Sequence, residues 1–167
     1  MSRDVVTVLL FLGPLGACAG DNPDNRPQYG RWELVRTLDS VTIDGVAFAP
    51  DQLPASFREM EGTVSICGEP TYTDRAWQAE DVRERTKGMC ELEIYSNTST
   101  NASLEGSCTL STADVEYTPL MRGNSTFDET STRDVIVMEG SLAVEGDPAP
   151  HTLKAIAVQE GRRTGDC

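Results

Sequence analysis

His151 is the single histidine in 167 residues, so a hydrolase of the serine type would have to use it as its general base. It sits beside Pro148 and Pro150, and no G-x-S-x-G turn presents a serine to it, which reads as a solvated loop residue. Paired carboxylates support glycosidase chemistry, and two groups qualify by spacing: Glu80, Asp81 and Glu84, and Asp128 and Glu129 with Asp134 nearby. In a chain with 27 acidic and 14 basic residues, such clusters read first as a solvated anionic face. The ligand inventory argues against metal: there is no C-x-x-C, no EF-hand pattern and one histidine, so neither a metal nor a cofactor is expected. Asn97-Thr98-Ser99, Asn101-Ala102-Ser103 and Asn124-Ser125-Thr126 match the glycosylation sequon, and in a bacterial chain they are turn-forming polar residues.

Cys18 has a different setting. The run Val5-Val6-Thr7-Val8-Leu9-Leu10-Phe11-Leu12 follows Arg3 and is far shorter than the roughly 20 residues that span a bilayer, so residues 1–17 read as an export signal. Leu15-Gly16-Ala17-Cys18 resembles a lipobox, in which a diacylglycerol is attached to the cysteine sulfur and cleavage leaves that cysteine first. Simple secretion would instead leave Cys18 as an odd thiol. Residues 18–29, polar and broken by Pro23 and Pro27, are expected to form a flexible tether, and 30–167 a single domain. A net charge of −13 excludes nucleic acid and bare anionic lipid as partners, so membrane residence would come from the acyl chains, at about 0.8 kcal/mol per buried methylene.

The elements that must carry these residues are mostly strands. Period-two patterning marks 32–41, 63–67, 115–121, 135–144 and 153–160, separated by Asp44-Gly45, Gly123-Asn124 and Gly146-Asp147-Pro148. Cys90, Leu92 and Ile94 share one face of a strand, with Glu91 and Glu93 on the other. Leu104, Gly106, Cys108 and Leu110 repeat the device, and the polar residues 96–101 between them predict a hairpin. One amphipathic helix is predicted over 73–87, with Ala76, Trp77, Ala79 and Val82 on its apolar face, Thr73 or Asp74 as cap and an Asp81–Arg85 pair. The expected fold is mainly β, an antiparallel meander forming a curved sheet or barrel-like structure. Trp32, Trp77, Tyr95, Tyr117 and Phe127 are placed either to fill its core or to line an apolar pocket.

Cys67, Cys90, Cys108 and Cys167 give two disulfides in an exported chain. Three connectivities exist. Cys67–Cys90 with Cys108–Cys167 is the preferred pairing, because it clamps the helix and ties down the C-terminal tail; a cross-strand Cys90–Cys108 bridge is the rival.

The lipobox, Gly30-Arg31-Trp32-Glu33, the ordered Cys67, Cys90 and Cys108, and the closing Gly161-Arg162-Arg163-Thr164-Gly165-Asp166-Cys167 together resemble domain-of-unknown-function family 3617, small exported bacterial proteins. The resemblance implies a β-rich envelope protein with no assigned reaction, and it transfers no catalytic residue. Residues 44–60 and 143–151 carry none of its motifs. Aspartate directly after a lipidated cysteine retains a lipoprotein at the inner membrane; Ala19 stands there, which implies the outer membrane, facing the periplasm. The expected function is a non-enzymatic binding or structural module that takes a small apolar ligand or another envelope protein, with a hydrolase using an unrecognised site as the alternative.

Overall fold

A computed structural model describes residues 24–49, 61–111 and 115–167, apart from the side chain of Arg85. The expected export signal and Cys18 therefore lie outside the described residues, as does the Arg85 half of the Asp81–Arg85 pair. The elements are β1 (Gly30–Ile43), β2 (Val46–Ala47), β3 (Gly62–Gly68), α1 (Arg75–Arg85), β4 (Cys90–Asn97), β5 (Asn101–Cys108), β6 (Leu110–Ser111), β7 (Val115–Phe127), β8 (Ser131–Val144) and β9 (His151–Gly165). The nine strands form one sheet in the order β2-β1-β9-β8-β7-β5-β4, with β3 beside β1 and β6 beside β7. Every pairing is antiparallel. The mainly β architecture, with one short helix among the described residues, is as expected. β3 and β4 remain separate edges, so it is an open curved sheet and not a closed barrel.

One face is buried because inward residues alternate with polar ones. Trp32 and Leu34 alternate with exposed Glu33 and Val35, and Tyr117, Pro119 and Met121 with exposed Glu116, Thr118 and Leu120, so the outward places are polar except for Val35 and Leu120. The core falls into three neighbouring clusters. Val41, Tyr117, Leu142, Leu153 and Ala155 form one, Tyr72, Ala102 and Phe127 another, and Cys90, Cys108 and Met121 the third.

Several local expectations are corrected. A bulge between Leu92 and Ile94 shifts the register of β4, so Ile94 turns outward, 56% exposed, and Tyr95 takes the inward place opposite Leu104. Gly123-Asn124 does not separate elements; both lie inside β7, and Gly123 is there because a Cβ would stand 2.8 Å from Leu104 Cγ. Trp77 does not face the core and is 43% exposed, whereas Gln78 is buried and its amide donates to Thr71 O, tying the helix to the preceding loop. Asp74 is the cap, accepting from Ala76 N at 2.7 Å and Trp77 N at 3.2 Å. The C-terminal end of the expected tether belongs to the fold: Asn25 is buried and Pro27 fully so, with Asn25 Nδ2 donating to Pro70 O at 2.8 Å and Tyr72 N to Asn25 Oδ1 at 3.0 Å.

The preferred disulfide pairing is also replaced. Cys90 and Cys108 stand directly opposite each other on β4 and β5 and bridge at a Cα–Cα distance of 4.0 Å. β3 lies at the far edge of the sheet from β4, which removes Cys67 from the reach of Cys90. Arg31 faces Cys67 on one side and Gly165 on the other, so Cys67 instead bridges Cys167 across the start of β1, Cα–Cα 5.8 Å.

Candidate functional site

His151 is not a solvated loop residue. It opens β9, with its side chain about a quarter exposed, and both ring nitrogens are engaged: Nδ1 with Asp44 Oδ2 at 2.7 Å and Nε2 with Asp147 Oδ2 at 3.1 Å. Asp44 reaches it because Asp44-Gly45 form a tight turn with φ of 51° and 79°, and Asp44 Oδ1 also accepts from Thr152 N at 2.8 Å. Asp147 is fixed by the backbone N–H of Ala149 at 2.9 Å. The hydrogen bond to Asp44, then that to Asp147, holds the imidazole above its ordinary value. Asp44 is held below the carboxylate range first by His151 and then by Thr152, and Asp147 first by Ala149 and then by His151. His151, set between two carboxylates, joins the β1–β2 and β8–β9 turns; with both ring nitrogens engaged it lacks the free nitrogen of a general base.

The carboxylate groups do not converge. Glu80 pairs with Arg83 on the exposed side of α1. Asp128 closes a turn, its Oδ1 accepting from Thr130 N and Ser131 N at 2.7 Å each and its Oδ2 from Ser131 Oγ at 2.8 Å, and these bonds hold it below the carboxylate range. Glu129 takes Arg26 at 3.8 Å and the Gln28 amide at 3.4 Å. Asp134 points to the concave side, where Tyr72 Oη donates to Oδ1 at 2.9 Å and Gln159 Nε2 to Oδ2 at 3.0 Å, while Gln159 Oε1 accepts from Arg36 Nε at 2.8 Å. Among the described residues no group of histidines, cysteines and acids is arranged to hold a metal ion.

Tyr72, which the sequence pattern did not single out, is the hub of the interior. Its ring stacks on Phe127 with centroids 4.1 Å apart and planes 9° from parallel. Its carbonyl accepts from Tyr95 Oη at 2.7 Å and Asn97 Nδ2 at 2.8 Å. Burial, then the charge of Asp134, pushes the Tyr72 phenol far up, and the same two causes push Tyr95 up to about 12. Trp32, fully buried, donates from Nε1 to Gln28 O at 2.9 Å, and Tyr117 Oη donates to Met138 O at 3.0 Å. Four of the five predicted aromatics thus fill the concave side; Trp77 does not. Of the sequon residues, Asn97 holds Tyr72 and Asn101 Nδ2 bonds Thr100 Oγ1 at 2.8 Å.

A depression of about 640 Å³ opens where β1, β8 and β9 meet the β7–β8 turn. Exposed Glu33, Arg133 and Glu160 line it together with buried Phe127, Thr132 and Gly161. Arg133 and Glu160 pair across it at 3.6 Å, in a volume typical of ligand sites. Its mixed charges suit the side chains of another protein better than an apolar molecule. Comparison with protein families, curated proteins and solved structures gives no match to this chain.

Proposed function

We propose that this chain is an exported envelope protein, held to the membrane by lipid on Cys18 and serving as a non-enzymatic binding module for another envelope protein. The observation that carries the reading is the pair of disulfides, Cys67–Cys167 and Cys90–Cys108, which supports an oxidising compartment outside the cytoplasm. Leu15-Gly16-Ala17-Cys18 after a short apolar run supports the anchor. A concave side filled by Trp32, Tyr72, Tyr117 and Phe127 favours a partner on the outer surface over a small apolar ligand. The occupied ring of His151 speaks against the alternative of a hydrolase.

The test is metabolic labelling with a palmitate analogue. The wild-type chain takes up label and fractionates with membranes, while Cys18→Ser is released to the soluble periplasmic fraction or stays unprocessed. Equal labelling of both refutes the anchor.

A further inference from the structure

We infer that β3 is an interaction edge whose occupant is β3 of a second copy, paired antiparallel about a two-fold axis at Ser65. The inference starts from the contrast between the two edges of the sheet. β4 is guarded: it bulges at residues 92–94, Arg75 donates to Glu93 O at 2.8 Å, and α1 packs along it. Such devices stop another strand from adding to an exposed row of N–H and C=O groups.

β3 carries none of them. It is seven residues long and pairs with β1 from Gly30↔Gly68 to Arg36↔Gly62 without a register shift. Gly62-Thr63-Val64-Ser65-Ile66-Cys67-Gly68 contains no charge and no proline. Among the described residues, its hydrogen bonding outside the ladder with β1 is confined to the side chain of Cys67, whose Sγ meets Tyr29 Oη at 3.5 Å. Val64 stands opposite Leu34 on the inward face and is still 41% exposed. An uncharged, regular edge with an uncovered apolar residue is a template for strand addition.

The sequence of the strand selects the occupant. A two-fold at Ser65 sets Val64 of one copy against Ile66 of the other on the inward face, Thr63 against Cys67 on the outward face, and glycine against glycine at both ends. A one-residue slip puts apolar residues against the polar face, and a two-residue slip keeps the faces but loses the match of Gly62 with Gly68, so the axis at Ser65 is the one that keeps both in step. The same axis sets Glu61 against Glu69, and each copy carries a net charge of −13, so association strengthens as salt screens both repulsions.

The experiment is sedimentation velocity on the full chain carrying Cys18→Ser, which removes the acyl chains, at about 0.05 M and about 0.5 M NaCl. The dimer fraction is expected to rise with salt, and Ser65→Lys, at an exposed position, is expected to weaken dimerisation by about tenfold or more while leaving the circular dichroism spectrum unchanged. S65C brings identical positions together at the axis and is expected to cross-link two copies on mild oxidation, whereas T37C, exposed on β1 beyond the reach of β3, is not. A monomer at every salt concentration, a dimer indifferent to Ser65→Lys, or equal cross-linking of S65C and T37C overturns the inference. Because lipidation is absent from every arm, failure here leaves the anchoring reading untouched.

Discussion

Replacing Cys67 and Cys167 together by serine opens a loop with a sequence separation of 100, against 18 for Cys90–Cys108. In the chain-entropy account the larger loop contributes about 4.7 kcal/mol and the smaller about 3 kcal/mol. Cys67 and Cys167 are both exposed, so the substitution removes little packing and reads loop closure almost alone; Cys90 and Cys108 are buried, 3% and 4% exposed, and their loss would mix in a cavity. For a domain of this size each kcal/mol moves the midpoint by roughly 3–4 °C, so the Cys67→Ser/Cys167→Ser protein should melt about 15 °C below its parent. The assay is thermal and urea unfolding by circular dichroism, with Cys18→Ser in both proteins. Non-reducing peptide mapping of the parent should join Cys67 to Cys167. A loss below about 1 kcal/mol, or a mapped peptide joining Cys67 to Cys90, would show that the bridge does not close the loop as reasoned here.

Two further outcomes follow from the polar groups. His151 is held above 6.5 in the folded chain, so its stabilisation is complete below that pH and lost as pH climbs through the raised value; Asp44 and Asp147 are held below 3.8, so theirs is complete above 3.8 and lost as pH falls through the lowered values. The melting deficit of His151→Gln should therefore be widest between pH 3.8 and 6.5 and close at alkaline pH, and a deficit flat from acid to alkaline melts contradicts the ion pairs. Tyr72→Phe keeps the stack on Phe127 but withdraws the donor from Asp134 Oδ1, so urea titration should show a loss of about 1–3 kcal/mol, and an unchanged midpoint would mean that the hydroxyl does not hold Asp134.

Strand content and the helix at Arg75–Arg85 were legible in the sequence because they rest on period, which a single chain carries in full. What the sequence could not carry were effects of one residue. The bulge between Leu92 and Ile94 leaves the alternating pattern intact in the letters and reverses it in space, so Ile94 and Tyr95 exchange faces. Gly123 reads as a turn because glycine permits one, yet it serves close packing against Leu104. Disulfide connectivity depends on strand order, and once β3 pairs with β1 instead of nearing β4, the cross-strand Cys90–Cys108 bridge follows. His151 reads as a loop residue for a similar reason: its partners Asp44 and Asp147 are ordinary turn residues until antiparallel pairing of β1 with β9 brings the two turns to one end of the sheet.

That pairing also divides the molecule into two ends with different demands. β9 runs 15 residues, about 45 Å of strand, from the His151 clamp to the Cys167 disulfide. The end near Gly30 receives the chain from residue 24, so with an anchor at Cys18 any pull on the domain enters there. It is the end with the most redundant fastening. Arg163 Nε donates to Tyr29 O at 3.0 Å, and Gly30 lets Arg163 approach so closely that a Cβ would stand 2.5 Å from its Nε. Trp32 holds Gln28 O, Gln28 N donates to Glu129 O at 3.0 Å, and Asn25 ties the entering chain to the segment between β3 and α1. A load there meets the Tyr72 segment through Asn25, β9 through Arg163, and the Cys67–Cys167 bridge across the start of β1, whereas the far end is closed by ion pairs that titrate. The covalent staple thus stands where the chain enters from the proposed anchor, and the pH-sensitive contact stands where no such load arrives.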